Sequence, residues 1–191
     1  AMLQHMDTLY DNALSSFRTL IGAVSKDPAM IIWLDLHENT KDSPNENFAR
    51  EVMELFTLGV DNGYTEEDIR QVARAFTGWK YKQSRRRGSC STAFDFDESV
   101  HDSGRKTVLG QSGNFDGDDV LDALCKHPNT ARYIAQKVWE YFAYKGVGSE
   151  TLNRVTRAFA ESGLQVKSLI RAIMTDEEFY SERSVGSRVK S

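Results

Sequence analysis

The chain has 191 residues, 40% of them hydrophobic, enough for one large or two small domains with a core that needs neither metal nor disulfide. Its formal net charge is −4 and neither half is strongly basic, which argues against a dedicated nucleic-acid binder. No run approaches the ~20 apolar residues of a membrane span.

From Asp7 to Val24, apolar residues at Leu9, Ala13, Phe17, Leu20, Ile21 and Val24 follow the spacing of one amphipathic helix. Asp27-Pro28 restarts the chain, Asp27 as a cap and Pro28 at the first helical position. The apolar run Met30–Leu34 reads as buried, and His37–Asp42 as a polar loop. In Ser43-Pro44-Asn45-Glu46, Ser43 is positioned to cap and Glu46 to close a capping box. Phe48, Val52, Leu55 and Phe56 then make a buried stripe, and Gly59 a left-handed stop. After the turn Asp61-Asn62-Gly63, Thr65 and Asp68 form a second box. The next helix buries Ile69, Val72, Ala73 and Phe76 and ends at Gly78.

Between Trp79 and Phe115 the period changes. Phe94 and Phe96 alternate with polar residues, and Lys106–Leu109 is a short β-prone run, so this region predicts a small two-stranded ribbon. Gln83–Ser91 reads as a mobile Ser/Arg-rich loop. Within it Arg85, Arg86 and Arg87 are a solvated run first and a phosphate contact second. Helices resume at Asp118–Lys126. His127-Pro128 opens a longer one with Ala131, Ile134, Ala135, Val138, Tyr141 and Phe142 on one face. Ser149 caps a helix bearing Leu152, Val155 and Phe159, and Val166, Leu169, Ile170 and Ile173 mark another. Thr175 and Glu178 make a last capping box, and the tail from Ser181 has no core face.

There are two cysteines, Cys90 and Cys125, and no CxxC pair. Two separate thiols are favoured over one disulfide. No signal peptide is visible, but the opening Ala-Met reads as foreign to the protein, so that carries little weight.

The block PNENFAREVMELFTLG followed by GYTEEDIRQVARAFTGW resembles the bacterial family known as domain of unknown function 1800 (DUF1800). In the same order come DPAM and LD, FDFDESVHDSGRKTVLG, HPNTARYIAQKVWEYF and LIRAIMTDEEFY, spread from Asn12 to Tyr180. The resemblance implies that this chain is the central to C-terminal portion of a longer protein with a helical N-terminal part, and that the parent is exported. The family has no agreed reaction, so the resemblance assigns no catalytic residue.

Chemistry could sit in two places. On the first helix of the Ser43–Trp79 block, Arg50, Glu54 and Asn47 lie opposite the Phe48 stripe, and Glu51 lies at its edge. An antiparallel partner helix would bring Glu51 or Glu54 near Arg74. That pairing is first a salt bridge that sets register and second an acid–base site. The other place is Asp95–Asp102, where Asp97 and the His101-Asp102 pair offer acid–base or hard-metal ligands. The spacing matches no metal motif, and a turn held by Asp102 is the favoured reading; Lys106 could neutralise the same acids. Asn114–Asp119 fails as a calcium loop, since Asp119 and Cys125 stand where Gly and Glu are needed. Its acids suit a helix N-terminus instead. No His or Cys sits at zinc spacing, and nucleophile-elbow, phosphate-loop and dinucleotide motifs are missing. Trp33, Trp79 and Trp139 read as core anchors, with Trp79 partly exposed.

The expectation is therefore a mainly α fold. About seven helices pack as antiparallel pairs in one bundle-like domain over residues 1–180, with a small β-hairpin inserted at about 80–115 and a flexible tail at 181–191. The expected function is a helical scaffold or ligand-binding module of a larger bacterial protein. Its binding residues would be Arg50, Arg74, Trp79 and Asp97, its partner the rest of the parent chain, and no motif implies a metal or cofactor. The alternative is an acid–base or divalent-metal-assisted hydrolase or lyase using Glu51, Glu54, Asp97 and His101. It requires Glu51 or Glu54 to converge with His101 in a cleft. A third reading is salt-sensitive binding of anionic polymers through Arg85–Arg87.

Overall fold

The computed structural model describes residues 2–86 and 89–187, with the backbone alone at Arg85, Arg86, Ser89 and Cys90. The fold is mainly α with a small β insertion, and nine α-helices rather than about seven lie within the described residues. The single N-terminal helix expected from periodicity is two, α1 (Met2–Asn12) and α2 (Phe17–Ser25). The break has a tertiary cause. Phe17 N–H donates to Leu164 O at 2.7 Å and Val166 N–H to Ser15 O at 3.0 Å, so a distant segment takes this backbone out of the helix. Ser16 then caps α2 by accepting from Thr19 N–H at 3.1 Å.

Asp27 caps α3 (Pro28–Trp33) as expected, accepting from Ala29 N–H at 2.8 Å. The Ser43–Glu46 box does not form. α4 (Asn47–Glu54) starts later, behind Glu46, which makes no side-chain cap bond. Buried Asn39 organises this entry. Its Oδ1 accepts from Asn45 N–H at 2.9 Å, its Nδ2 donates to Ala73 O at 2.8 Å, and its carbonyl accepts from Gly78 N–H at 3.1 Å. Helix α5 (Glu66–Ala75) carries the expected Thr65–Asp68 box. Phe48, Val52, Ile69, Val72 and Phe76 close the seam between α4 and α5. Leu55 is 52% exposed instead, because α4 stops one residue earlier and the chain turns.

The inserted β-structure is two separate hairpins. β1 (Trp79–Arg86) pairs antiparallel with β2 (Ser89–Phe96), Trp79 opposite Phe96, and β3 (Lys106–Val108) pairs with β4 (Gln111–Gly113). Strand pairing thus reaches into the segment expected to be a loop, from Gln83 to Arg86 and from Ser89 to Ser91. The side chains of Arg85, Arg86 and Cys90 and the whole of Arg87 lie outside the described residues, and with them the polymer-binding and disulfide questions. Edge-to-face rings run from the helix pair into the first hairpin: Phe48–Phe76 at 4.9 Å, Phe76–Trp79 at 4.9 Å and Trp79–Phe94 at 5.1 Å. Trp79, expected to be partly exposed, is 3% exposed. A Cβ on Gly117 would lie 2.5 Å from its Cζ2, so the missing side chain there makes room for the indole. Trp33 is the reverse, expected in the core and 79% exposed.

Helices α6 (Gly117–Lys126), α7 (Pro128–Phe142), α8 (Ser149–Glu161) and α9 (Val166–Met174) each pack on the next. The Asp116 and His127 caps follow the sequence reading. The other two do not: Gly148 precedes α8 without a side-chain bond, and Asp176 replaces Thr175 as a cap by accepting from Glu178 N–H at 3.0 Å. Tyr141 and Phe142 of the expected buried face are 71% and 39% exposed. One hydrophobic cluster runs from Phe17 to Ile173. Beyond it, Ser187 Oγ donates to Ala143 O at 2.7 Å and the Arg183 guanidinium lies 4.6 Å from the Tyr144 ring centre.

Candidate functional site

The charged seam exists, but its cation is Arg50. From α4 it donates to both carboxylate oxygens of Glu66 in the first turn of α5, at 3.0 and 2.8 Å, and to Glu54 and Glu46 at 3.3 and 3.2 Å. Arg70 lies 2.9 Å from Glu67 and 3.9 Å from Glu46. The fork-on-fork bond to Glu66 is the main reason the Arg50 guanidinium holds its proton more tightly than usual, and the Glu66 carboxyl falls below the ordinary range for the same reason. Solvent screens these exposed pairs, so they set the register of the helices more than their stability.

The expected Glu51 or Glu54 contact with Arg74 does not form. In an antiparallel pair each step back along α4 is a step forward along α5. With Arg50 level with Glu66 and Glu46 level with Arg70, Arg74 lies opposite chain that precedes α4. It turns instead to Asp102 at 2.7 Å and Gln71 at 2.6 Å. Half-buried Glu51 has no side-chain hydrogen bond among the described residues.

Arg74 is one of three ties that hold the His101 loop against the end of α5. Thr77 Oγ1 donates to Arg74 O and accepts from Asp102 N–H, both at 2.7 Å. Asp102 also accepts from Gly104 N–H at 2.8 Å. The bond to Arg74, chiefly, draws the Asp102 carboxyl below the usual range. Lys106, expected to neutralise carboxylates, is 1% exposed and donates to the main-chain oxygens of Asp102 and Gly104. Its burial pushes the ammonium pKa down. Asp97 caps the 3₁₀ turn Glu98–Val100 by accepting from Ser99 N–H at 3.1 Å, and Lys80 approaches it at 3.4 Å. The Ser99 hydrogen bonds are the first cause of its lowered pKa.

His101 is the third tie. Its Nδ1 lies 2.8 Å from Thr77 O. A carbonyl only accepts, so Nδ1 carries the proton and in the neutral ring Nε2 carries the lone pair. Nε2 has no hydrogen-bond partner among the described residues and is not among the buried unsatisfied atoms. The ring sits 5.2 Å from that of Phe96. Gly78, at φ 83°, makes the close approach: a Cβ there would be 2.6 Å from Asp97 O and 3.2 Å from the His101 Cβ.

The loop borders an open groove of about 480 Å³, lined by Lys41, Phe96, Glu98, His101, Asn114 and Asp116 among others. Neither Glu51 nor Glu54 reaches it. Glu54 lies beside Glu66 at the start of α5 through Arg50, while His101 packs beyond its end. Ten helical residues separate them by ~15 Å. Of the expected binding residues, Arg50 is engaged at the seam, Arg74 and Asp97 shape the loop, and Trp79 is buried. No cluster of three metal-ligating side chains occurs among the described residues.

Asn39, Thr77 and Glu66 organise these sites and escaped the sequence reading. Asn39 and Thr77 are uncharged residues in a loop and at a helix end, where no periodicity marks a side chain that will be buried.

Over residues 1–191 the chain matches the family model described as Protein of unknown function (DUF1800). The chain belongs to the DUF1800 family. The match extends past both ends of the motif-bearing span 12–180. No curated protein and no solved structure matches this DUF1800 chain. Among its described residues no helix is long and apolar enough to cross a membrane.

Proposed function

We propose that this DUF1800 chain is a helical scaffold module of a larger bacterial protein, docking through α1 onto the remaining part of that protein. The carrying observation is that α1 faces the wrong way for a surface helix. At about 100° per residue, Met2, Leu3, Met6, Leu9 and Tyr10 fall within an arc of roughly 120°. They are 68%, 80%, 62%, 41% and 86% exposed, and α1 has no buried residue. The opposite, polar arc touches the body. Thr8 Oγ1 donates to Asp27 Oδ2 at 3.0 Å, His5 Nδ1 is 3.5 Å from Asp27 Oδ1, and Gln4 Oε1 accepts from Thr92 at 3.3 Å. Exposed Trp33 stands at the end of neighbouring α3. A contiguous apolar face of this kind marks an interaction surface.

The hydrolase or lyase reading draws less support, because α5 holds Glu54 and His101 apart.

Hydrogen exchange tests the proposal. The amides of Met2–Asn12 are expected to exchange faster in the 191-residue chain than in a longer form of the protein. Equal exchange in both would overturn the reading. So would a dimer of the 191-residue chain that Tyr10→Ser dissociates, since α1 would then serve a second copy.

A further inference from the structure

We propose that the groove beside His101 binds a neutral polyhydroxylated ligand, a carbohydrate. In the cleft between Glu46 and Arg74, Glu46, Glu67, Arg70 and Arg74 all have ionic partners. The His101 groove differs. Lys41, Glu98 and Asn114 are exposed and make no side-chain hydrogen bond or ion pair among the described residues. The His101 Nε2 lone pair is unused, and Asp116 spends one oxygen on the Asp119 N–H at 3.0 Å. Donors and acceptors therefore line one volume, on a frame that three ties hold in place.

The second observation is Phe96. It leaves 45% of its surface to solvent in this polar groove, where an apolar ring gains nothing from water. A sugar matches both features. Its hydroxyls each donate and accept, which suits Lys41, Asn114, Glu98 and Nε2 together, and the C–H face of its ring covers an aromatic side chain. The charge balance selects against other ligands. An anion would meet Glu98 and Asp116, a cation would meet Lys41, and a metal lacks a ligand cluster. The size of the groove falls within the range of small-molecule sites.

The test titrates cellotetraose, xylotetraose, maltotetraose and chitotetraose, one at a time, into the 191-residue chain. It is read by calorimetry and by the Cε1–H resonance of His101. At least one should bind in the micromolar to millimolar range and shift that resonance. Phe96→Ala and Asn114→Ala should each weaken binding about tenfold. Asn114 is exposed, so its variant keeps the fold even if the Phe96 variant does not. Binding of none of the four overturns the proposal, as does affinity unchanged by Asn114→Ala. Tetramethylammonium or inorganic phosphate shifting His101 in place of the sugars also overturns it.

Discussion

Asp102 is where one carboxylate supports the most structure. It accepts from Arg74 and from Gly104 N–H, its own N–H is held by Thr77, and its carbonyl holds Lys106. Its folded-state pKa lies below the ordinary value. A depressed carboxyl contributes stability that is fully present above the unfolded value of about 4 and is lost as pH falls through the lower folded value. Asp102→Asn is expected to lower the urea midpoint at pH ~7 and to flatten its decline below pH ~4. Parallel declines for variant and parent would show that the carboxylate is not the group responsible. The acid itself was visible as a turn former in the sequence. Its partner was not, because Arg74 is 28 residues away and the helical period shows only that Arg74 faces off the apolar stripe.

At the scale of the element, the caps divide cleanly. Thr65–Asp68, Asp27–Pro28 and His127–Pro128 form as read, and the acids ahead of α6 cap it, through Asp116 and Asp119. The Ser43–Glu46 box fails because buried Asn39 takes the Asn45 N–H and the chain at Ser43 pairs with Thr40 instead. Asp27 serves two elements at once, capping α3 and accepting from Thr8 of α1, with His5 Nδ1 3.5 Å away. Asp27→Ala should therefore cost ~0.5–2 kcal/mol as a lost cap and also speed exchange across Met2–Asn12. A stability loss with unchanged α1 exchange would mean that other contacts secure α1. The β-region was legible as extended chain. Its division into two hairpins was not, since alternation does not name a strand's partner.

For the molecule as a whole, one apolar cluster links α2 to α9 through α4, α5 and the first hairpin. Phe48, 1% exposed, joins Phe76 and the ring series in the middle of it. Phe48→Ala is expected to destabilise by ~3–5 kcal/mol and to lower the midpoint of the whole transition, measured by thermal melting. An unchanged melting temperature would remove Phe48 from the core. The same connectivity separates the two charged regions that could have formed a catalytic centre, because α5 lies between them as a rigid spacer.

Local chemistry settled what can be settled over a few residues: the mainly helical class, most apolar stripes, four caps and the left-handed glycines after α4 and α5. It also carried the family resemblance, which is a property of residue order. Tertiary structure decided what faced what. It broke the first helix at Ser16, buried Trp79 and exposed Trp33, gave the seam to Arg50 and sent Arg74 to Asp102. A side chain's period reports which way it points from its own axis, whereas its neighbour is set by segments tens of residues away.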